Sequence, residues 1–274
     1  MTERYAELIE LVRTEKPLVH HITNYVTVND CANITLGIGA SPVMADAGAE
    51  AADIAAIARA VVLNMGTLNE RTIPSMILAG KSANAVNTPV VFDPVGAGAS
   101  TLRNETALQV INEVQLTVLR GNISEIRFLA GLSSQTKGVD ASDRDAFEVE
   151  DARALARDLA IKLKCIIAIT GAVDIVSNGD KVVLISNGVP MLSCLTGTGC
   201  MCSSLIGSFC GAAPSMPLEA TVCALLCMGI AGETAYEKAG GNGNGSFRVA
   251  LHDAISCIDA ETLTRRAKIN EVQD

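Results

Sequence analysis

The chain has no tryptophan, and aromatic residues make up 3% of its 274 positions. Large rings therefore cannot build the core. Ala, Val, Ile, Leu and Gly must fill it, which suits helices packed closely on a Val/Ile-rich parallel sheet. Charged residues are also few, at 19%, and the net charge is −9. No Lys/Arg cluster is long enough to track a nucleic-acid backbone, so nucleic acid is excluded as a partner. Any phosphate site must be local, built from backbone amides and a few cations. The N-terminal stretch MTERYAELIELVRTEKP reads as an amphipathic charged helix and lacks the pattern of a signal peptide. The most apolar helical stretch, Ala220 to Ala231, is too short to span a bilayer and runs into Glu233, so no membrane partner is expected. Cys200-x-Cys202 has no second ligand pair at zinc-finger spacing, which sets a zinc site aside. There is no internal repeat and no Pro- or Ser-rich linker. Residues 1–274 read as a single domain.

Hydrophobic residues are plentiful, at 49%. The mean hydropathy of +0.33 is high for a soluble monomer, so part of the surface is expected to be covered by sister subunits. The nine cysteines are an odd count. Cys165, Cys210, Cys223 and Cys227 sit in apolar, helix-like surroundings. They read as reduced thiols serving as small hydrophobes in a cytoplasmic protein.

Short apolar runs alternate with Ala-rich helical patterns. The expected strands are Pro17–His20, Pro42–Met44, Ala60–Asn64, Val90–Asp93, Leu116–Leu119 and Cys165–Thr170. The expected helices are Thr2–Arg13, Val28–Ile38, Glu50–Ala58, Glu70–Ala85, Glu105–Glu113, Ile123–Leu129 and Val149–Lys162. Strands without polar alternation are buried on both faces, and with helices between them they imply a parallel, doubly wound α/β sheet. Asp174–Ser177, Asn178-Gly179 and Lys181–Ser186 form a hairpin signature, an antiparallel edge to that sheet. Cys202–Cys210, Leu218–Tyr236 and Phe247–Ile258 look helical, and Gly240–Gly245 reads as a flexible connection between helices.

In open parallel sheets, ligands bind beyond the C-terminal ends of the strands. Polar residues at those points are the candidates. Thr196-Gly197-Thr198-Gly199-Cys200-Met201 precedes a helical segment. A Gly-rich turn opening a helix aims unpaired N–H groups outward and binds anions, although a tight connection would look the same. Asp93-Pro94-Val95-Gly96 suits a magnesium or phosphate site, or a turn-capping aspartate. Glu125 falls in a first helical turn, where it either complements the dipole or holds Mg²⁺ through water, while Arg120 meets a phosphate. Thr170-Gly171 offers a hydroxyl and a free amide to a nucleotide. The segment His20 to Asp30 is too polar for a core strand, and its adjacent histidines face opposite ways, which argues against joint metal chelation. Met44 is either a soft pocket wall or plain core.

Together, HHITNYVTVND, SPVMAD, VLNMGTL, VFDPVGAGAS, RGNISEI, ITG and TGTGCM resemble the hydroxyethylthiazole kinase family. They run in order from residue 20 to residue 201, and the first sets that family apart within the ribokinase-like superfamily. The resemblance implies a ribokinase-like fold, a mostly parallel sheet with helices on both faces. It implies phosphorylation of 4-methyl-5-(2-hydroxyethyl)thiazole by Mg-ATP in thiamine salvage, in a homotrimer with active sites between subunits. Carried over, Asn24, Met44, Gly66 and Gly197 meet the thiazole. Arg120, Thr170 and the amides of Gly197, Thr198 and Gly199 meet ATP. Asp93 and Glu125 organise Mg²⁺. Cys200 stands where the superfamily usually has an aspartate base. A thiol there either assists the proton transfer, with its pKa lowered by the helix end, or only fills the turn. The competing readings are a hydroxymethylpyrimidine or pyridoxal kinase, a dehydratase of hydrated nicotinamide nucleotides, and a nucleotide-binding module without chemistry.

Overall fold

The computed structural model describes residues 3–132 and 141–272. Its first helix, α1 (Glu3–Glu15), leads into β1 (Leu18–Ile22), α2 (Val28–Ile38), β2 (Ser41–Val43), α3 (Ala51–Ile57) and β3 (Ala60–Asn64). The expected start of α1 at Thr2 lies outside the described residues. There follow α4 (Thr72–Ala85), β4 (Val90–Asp93), α5 (Thr101–Glu113), β5 (Val118–Asn122), α6 (Ile123–Leu129) and α7 (Ala141–Leu163). Next come β6 (Ile166–Thr170), β7 (Asp174–Ser177), β8 (Val182–Ile185), α8 (Thr198–Ala212), α9 (Pro217–Ala239), α10 (Asn244–Cys257), α11 (Ala260–Arg266) and β9 (Ile269–Val272).

The described strands form one sheet in the order β2-β1-β3-β4-β5-β6-β7-β8-β9. Pairing is parallel from β2 through β6 and antiparallel from β6 through β9. This is the α/β architecture the alternating pattern implies. Successive residues of each strand face opposite sides. Val19, Val62, Val91 and Val118 join one core with α1, α2, α8, α9 and α10. Val61, Leu63, Phe92 and Leu119 join the other with α3 to α7. Burial on both faces is why these strands read as unbroken apolar runs.

Several boundaries differ from the sequence reading. His20 and His21 are not in a loop after β1 but inside it, and both are buried. Each ring has a backbone carbonyl to bond, which offsets the polarity that argued against a strand. Arg120 lies within β5 rather than after it, because pairing with β6 continues to Asn122 opposite Thr170. The strand β9 was not expected, since INEV carries only a short, half-polar pattern, and β8 supplies the edge on which it pairs. The apolar helix is longer than the sequence suggested: Pro217–Asn242, 26 residues including its last turn, has the length and composition to cross a membrane. Its most apolar window is 89% buried inside the fold, against α8 and α10, as a core helix.

Candidate active site

The parallel strands bring their C-terminal ends to one edge. In register there are Asn64 of β3 opposite Asp93 of β4, and Asn122 of β5 opposite Thr170 of β6. The loop after β1 contributes Asn24, and the start of α8 contributes Gly197 to Cys200. Gly197 is the α8 N-cap, with φ +92, a left-handed conformation that a side chain resists; a Cβ there would meet Thr27 Cγ2 at 2.6 Å. A Cβ on Gly66 would sit 2.8 Å from the Asn24 amide, and one on Gly199 would sit 2.7 Å from an Arg120 nitrogen. The glycines of this region are therefore set by close approach of side chains that line the site.

A buried hydrogen-bond network ties these points together. The Gly66 N–H donates to Asn64 Oδ1 at 2.9 Å, which fixes which end of that amide is oxygen. Asn64 Nδ2 then donates to Asp93 Oδ2 at 2.8 Å and to Cys200 Sγ at 3.3 Å. Asn24 Nδ2 donates to Asn64 Oδ1 at 2.9 Å and to Cys200 Sγ at 3.2 Å. The Thr27 amide and hydroxyl both donate to Asn24 Oδ1 at 3.1 Å. Ser203 Oγ donates to Asp93 Oδ2 at 2.8 Å, and Arg120 Nη1 lies 3.4 Å from the same oxygen. Arg120 Nη2 donates to Thr170 Oγ1 at 2.7 Å. Asp93 is fully buried, yet its Oδ1 has no hydrogen-bond partner, and neither has Arg120 Nε.

Cys200 departs from the chemistry expected of a helix N-terminus, while Glu125 takes the first-turn place expected for it. Burial pushes the Cys200 thiol up, Asp93 pushes it further, and hydrogen bonds from Thr27, Asn24 and Asn64 only partly oppose them. The lowering expected at a helix N-terminus is not realised, because desolvation and a neighbouring carboxylate outweigh the helix end. At neutral pH the group is a thiol. Glu125 Oε1 accepts from Gly96 N and Oε2 from Asn122 N, each at 2.8 Å, and the Asn122 side chain caps α6 in return. Its carboxylate binds the loop after β4 to the turn after β5. Burial pushes Glu125 up against the pull of those two amides. Each of its oxygens thus accepts one backbone N–H.

Three cavities meet here. One of about 620 Å³ is lined by Arg120, Thr170, Thr198 and Gly199 at one end, and by Val189, Leu192, Leu225 and Met228 elsewhere. One of about 380 Å³ contains Asp93, Glu125, Gly66, Gly197 and Cys200. One of about 260 Å³ holds Met44 and His21. Arg120 and Gly199 line both of the first two, and Asn24 lines both of the last two. The expected site residues are thus brought to one continuous groove. His20 and His21 bond the carbonyls of Ala45 and Val19, and no group of three or more metal-ligating side chains occurs among the described residues.

Asn64, Thr27 and Ser203 escaped the sequence reading as site residues. Asn64 carried a signal, as the single polar residue ending the all-apolar β3. Ser203 carried less: only its place one turn beyond Cys200 puts it on the same helix face.

The hydroxyethylthiazole kinase family model matches residues 9–261. A hydroxyethylthiazole kinase of Ruminiclostridium cellulolyticum is 55% identical over 271 residues, 99% of this chain and 98% of its own. One of Clostridium beijerinckii is 56% identical over 270 residues, 98% of each chain. The solved hydroxyethylthiazole kinase of Pyrococcus horikoshii superposes with a TM-score of 0.89 at 39% identity, over 98% of this chain and 99% of that one. The Staphylococcus aureus pyridoxal kinase in complex with AMP-PCP and pyridoxal shares the fold, with a TM-score of 0.63 at 15% identity, over 94% and 99% of the two chains.

Proposed function

The chain belongs to the hydroxyethylthiazole kinase family and phosphorylates a thiazole alcohol; on that premise we propose that Mg-ATP is the phosphoryl donor and that the groove divides the work by its chemistry. The nucleotide occupies the cavity of about 620 Å³, with its phosphates toward Arg120, Thr170 and Thr198. The alcohol, 4-methyl-5-(2-hydroxyethyl)thiazole, enters from the cavity that Asn24 and Met44 line. The two meet at Cys200, below Gly66 and Gly197.

The phosphoryl group passes between the reactants in front of the α8 N-terminus. The amides of Gly197 to Gly199 and the helix dipole favour the charge on its oxygens. Arg120 adds a fixed positive charge, held in place by Asp93 and Thr170. The unpartnered Asp93 Oδ1 fits a hard cation, which usually takes one or two carboxylates and fills its remaining positions with water and substrate phosphates. Asp93 would hold Mg²⁺ directly and Glu125 through water, and the ion would neutralise phosphate charge. Cys200, a neutral thiol, orients the substrate hydroxyl and does not abstract its proton. A loose phosphoryl-transfer transition state demands little base assistance.

A homotrimer with sites between subunits completes the reading. Tyr25 is 79% exposed and Val26 55% exposed, and both border the substrate side of the groove. A second copy covering them would close the pocket on the thiazole. The described cysteines are all free thiols, which suits a reducing cytoplasm and a place in thiamine salvage.

The observation that carries this reading is the Asn24–Asn64–Asp93–Cys200 network at the junction of the cavities. The test is incubation of the purified protein with ATP, magnesium and each candidate alcohol, followed by detection of the phosphate ester. Thiazole phosphate is the expected product. Product from hydroxymethylpyrimidine or pyridoxal alone would move the protein to a sister kinase, and no product from any alcohol would leave a binding module.

A further inference from the structure

Asp174 is a carboxylate in the cavity of about 620 Å³ to which phosphoryl transfer gives no task. It opens β7, directly after the turn that follows Thr170. The Gly171 N–H donates to its Oδ1 at 2.9 Å. Among the described residues no other hydrogen bond and no ion pair engages this side chain. Burial pushes its carboxyl up to about 6, against the pull of the Gly171 amide and the Arg120 charge. It is therefore an anion at the pH of a kinase assay. A bare carboxylate in a cavity meant for a polyanion repels the ligand unless it meets hydrogen-bond donors, since it has only acceptors to offer.

The strand order says where along the nucleotide those donors would be. β5, β6, β7 and β8 are consecutive neighbours. β7 runs antiparallel to β6 and β8, so its first residue lies at the same sheet edge as the last residues of β5, β6 and β8; Asp174 stands opposite Ile185. On one side of Asp174 are Arg120 and Thr170. On the other is the segment after β8, where Val189 and Leu192 line the apolar end of the cavity. A nucleotide has the same order of parts: phosphates, ribose, base. Laid end to end with the cavity, its ribose falls beside Asp174. A ribose carries two vicinal hydroxyl donors, and an acidic residue reads one of them in the dinucleotide-binding folds.

We propose that Asp174 binds the ribose hydroxyls of the nucleotide donor and determines specificity for a ribonucleotide. This rests on the reading of the cavity as the nucleotide site. The test compares kcat/KM for ATP, 2′-deoxy-ATP, 3′-deoxy-ATP and ITP in the wild type, Asp174→Asn and Arg120→Ala. Asn keeps an oxygen for the Gly171 amide and so preserves the turn, but replaces the second acceptor with a donor. The wild type should prefer ATP over at least one deoxynucleotide by ~10-fold or more, because a site built to bond a hydroxyl discriminates strongly against its loss. In Asp174→Asn that preference should shrink to within ~3-fold, through a higher KM for ATP and not through a lower kcat. Equal wild-type rates with all the adenine nucleotides would overturn the proposal. So would equal losses for ATP and its deoxy analogues in Asp174→Asn. If the variant instead erases a preference for ATP over ITP, the carboxylate reads the base amine, and the proposal is again overturned. Arg120→Ala separates this failure from that of the underlying reading. An unchanged KM for every nucleotide in Arg120→Ala would mean that the cavity is not the nucleotide site at all.

Discussion

Acidification isolates the energetic effect of burying His21. The ring is fully enclosed in β1, and burial lowers its pKa from 6.5 to about 4, with the neighbouring His20 lowering it and a hydrogen bond to Val19 O opposing. Val19 O can only accept, so Nδ1 carries the proton of the neutral ring. In the unfolded chain the imidazole regains its ordinary pKa. Between the two values the unfolded state binds more protons than the folded one, so stability must fall as pH falls. The window opens near 6.5 and closes near 4. Over the whole window the effect is roughly 3.4 kcal/mol, and at about pH 4.5 roughly 2.5 kcal/mol of it is already lost. The comparison that isolates it is His21→Asn, whose amide nitrogen still reaches a carbonyl but does not titrate. Any loss of packing in the variant is the same at every pH and cancels. Urea unfolding followed at about pH 7.5 and about pH 4.5 should show the wild type losing roughly 2.5 kcal/mol more than the variant. Parallel losses in the two proteins would refute the reasoning, for they would mean that His21 takes up its proton inside the folded sheet.

Asp93→Asn leaves the Arg120 guanidinium without its counter-charge in a buried setting, and unfolding should become easier by about 3–5 kcal/mol, while Asp93→Asn combined with Arg120→Met should recover part of that loss. Urea midpoints for the single and double variants check this, and a double variant weaker than the single one would oppose it. Glu125→Gln turns one acceptor toward a backbone N–H into a donor, which should cost about 1–3 kcal/mol of stability and slow turnover, read by thermal unfolding and steady-state rates. Cys200→Ala should leave stability nearly unchanged, because the two amides that reach Sγ also have Asn64 Oδ1 and Asp93 Oδ2, and should lower kcat by no more than ~10²-fold. Cys200→Asp should not raise kcat, since a loose transition state asks little of a base and the new carboxylate would face Asp93 and the incoming phosphates; a clear rise in kcat would show that proton abstraction at this position limits the reaction. Light scattering should give a trimer at micromolar concentration, and a monomer with full activity would remove the shared site.

The sequence by itself determined the layered sheet. Residues 60–63 and 90–92 are apolar throughout because both faces are covered, and Asn64 and Asp93 end their strands as the polar residues that reach the groove. It also marked the glycine turn that opens α8, where Gly197 takes the left-handed φ of +92 that glycine favours. These are local properties, and spacing along the chain records them. The charge states were not legible in that way. Cys200 stands at a helix N-terminus, which alone would lower its pKa, yet Asp93, Asn24 and Asn64 arrive from strands and loops distant in sequence, and burial outweighs the helix end. Glu125 had the spacing of a capping residue and the chemistry of a metal ligand, and only the approach of Gly96 showed that both its oxygens are engaged. The histidines looked too polar for a core strand until the carbonyls of Ala45 and Val19 were seen to receive them. Solvation, charge and hydrogen-bond satisfaction are sums over everything within a few ångströms, and which groups lie that close is decided by the tertiary fold.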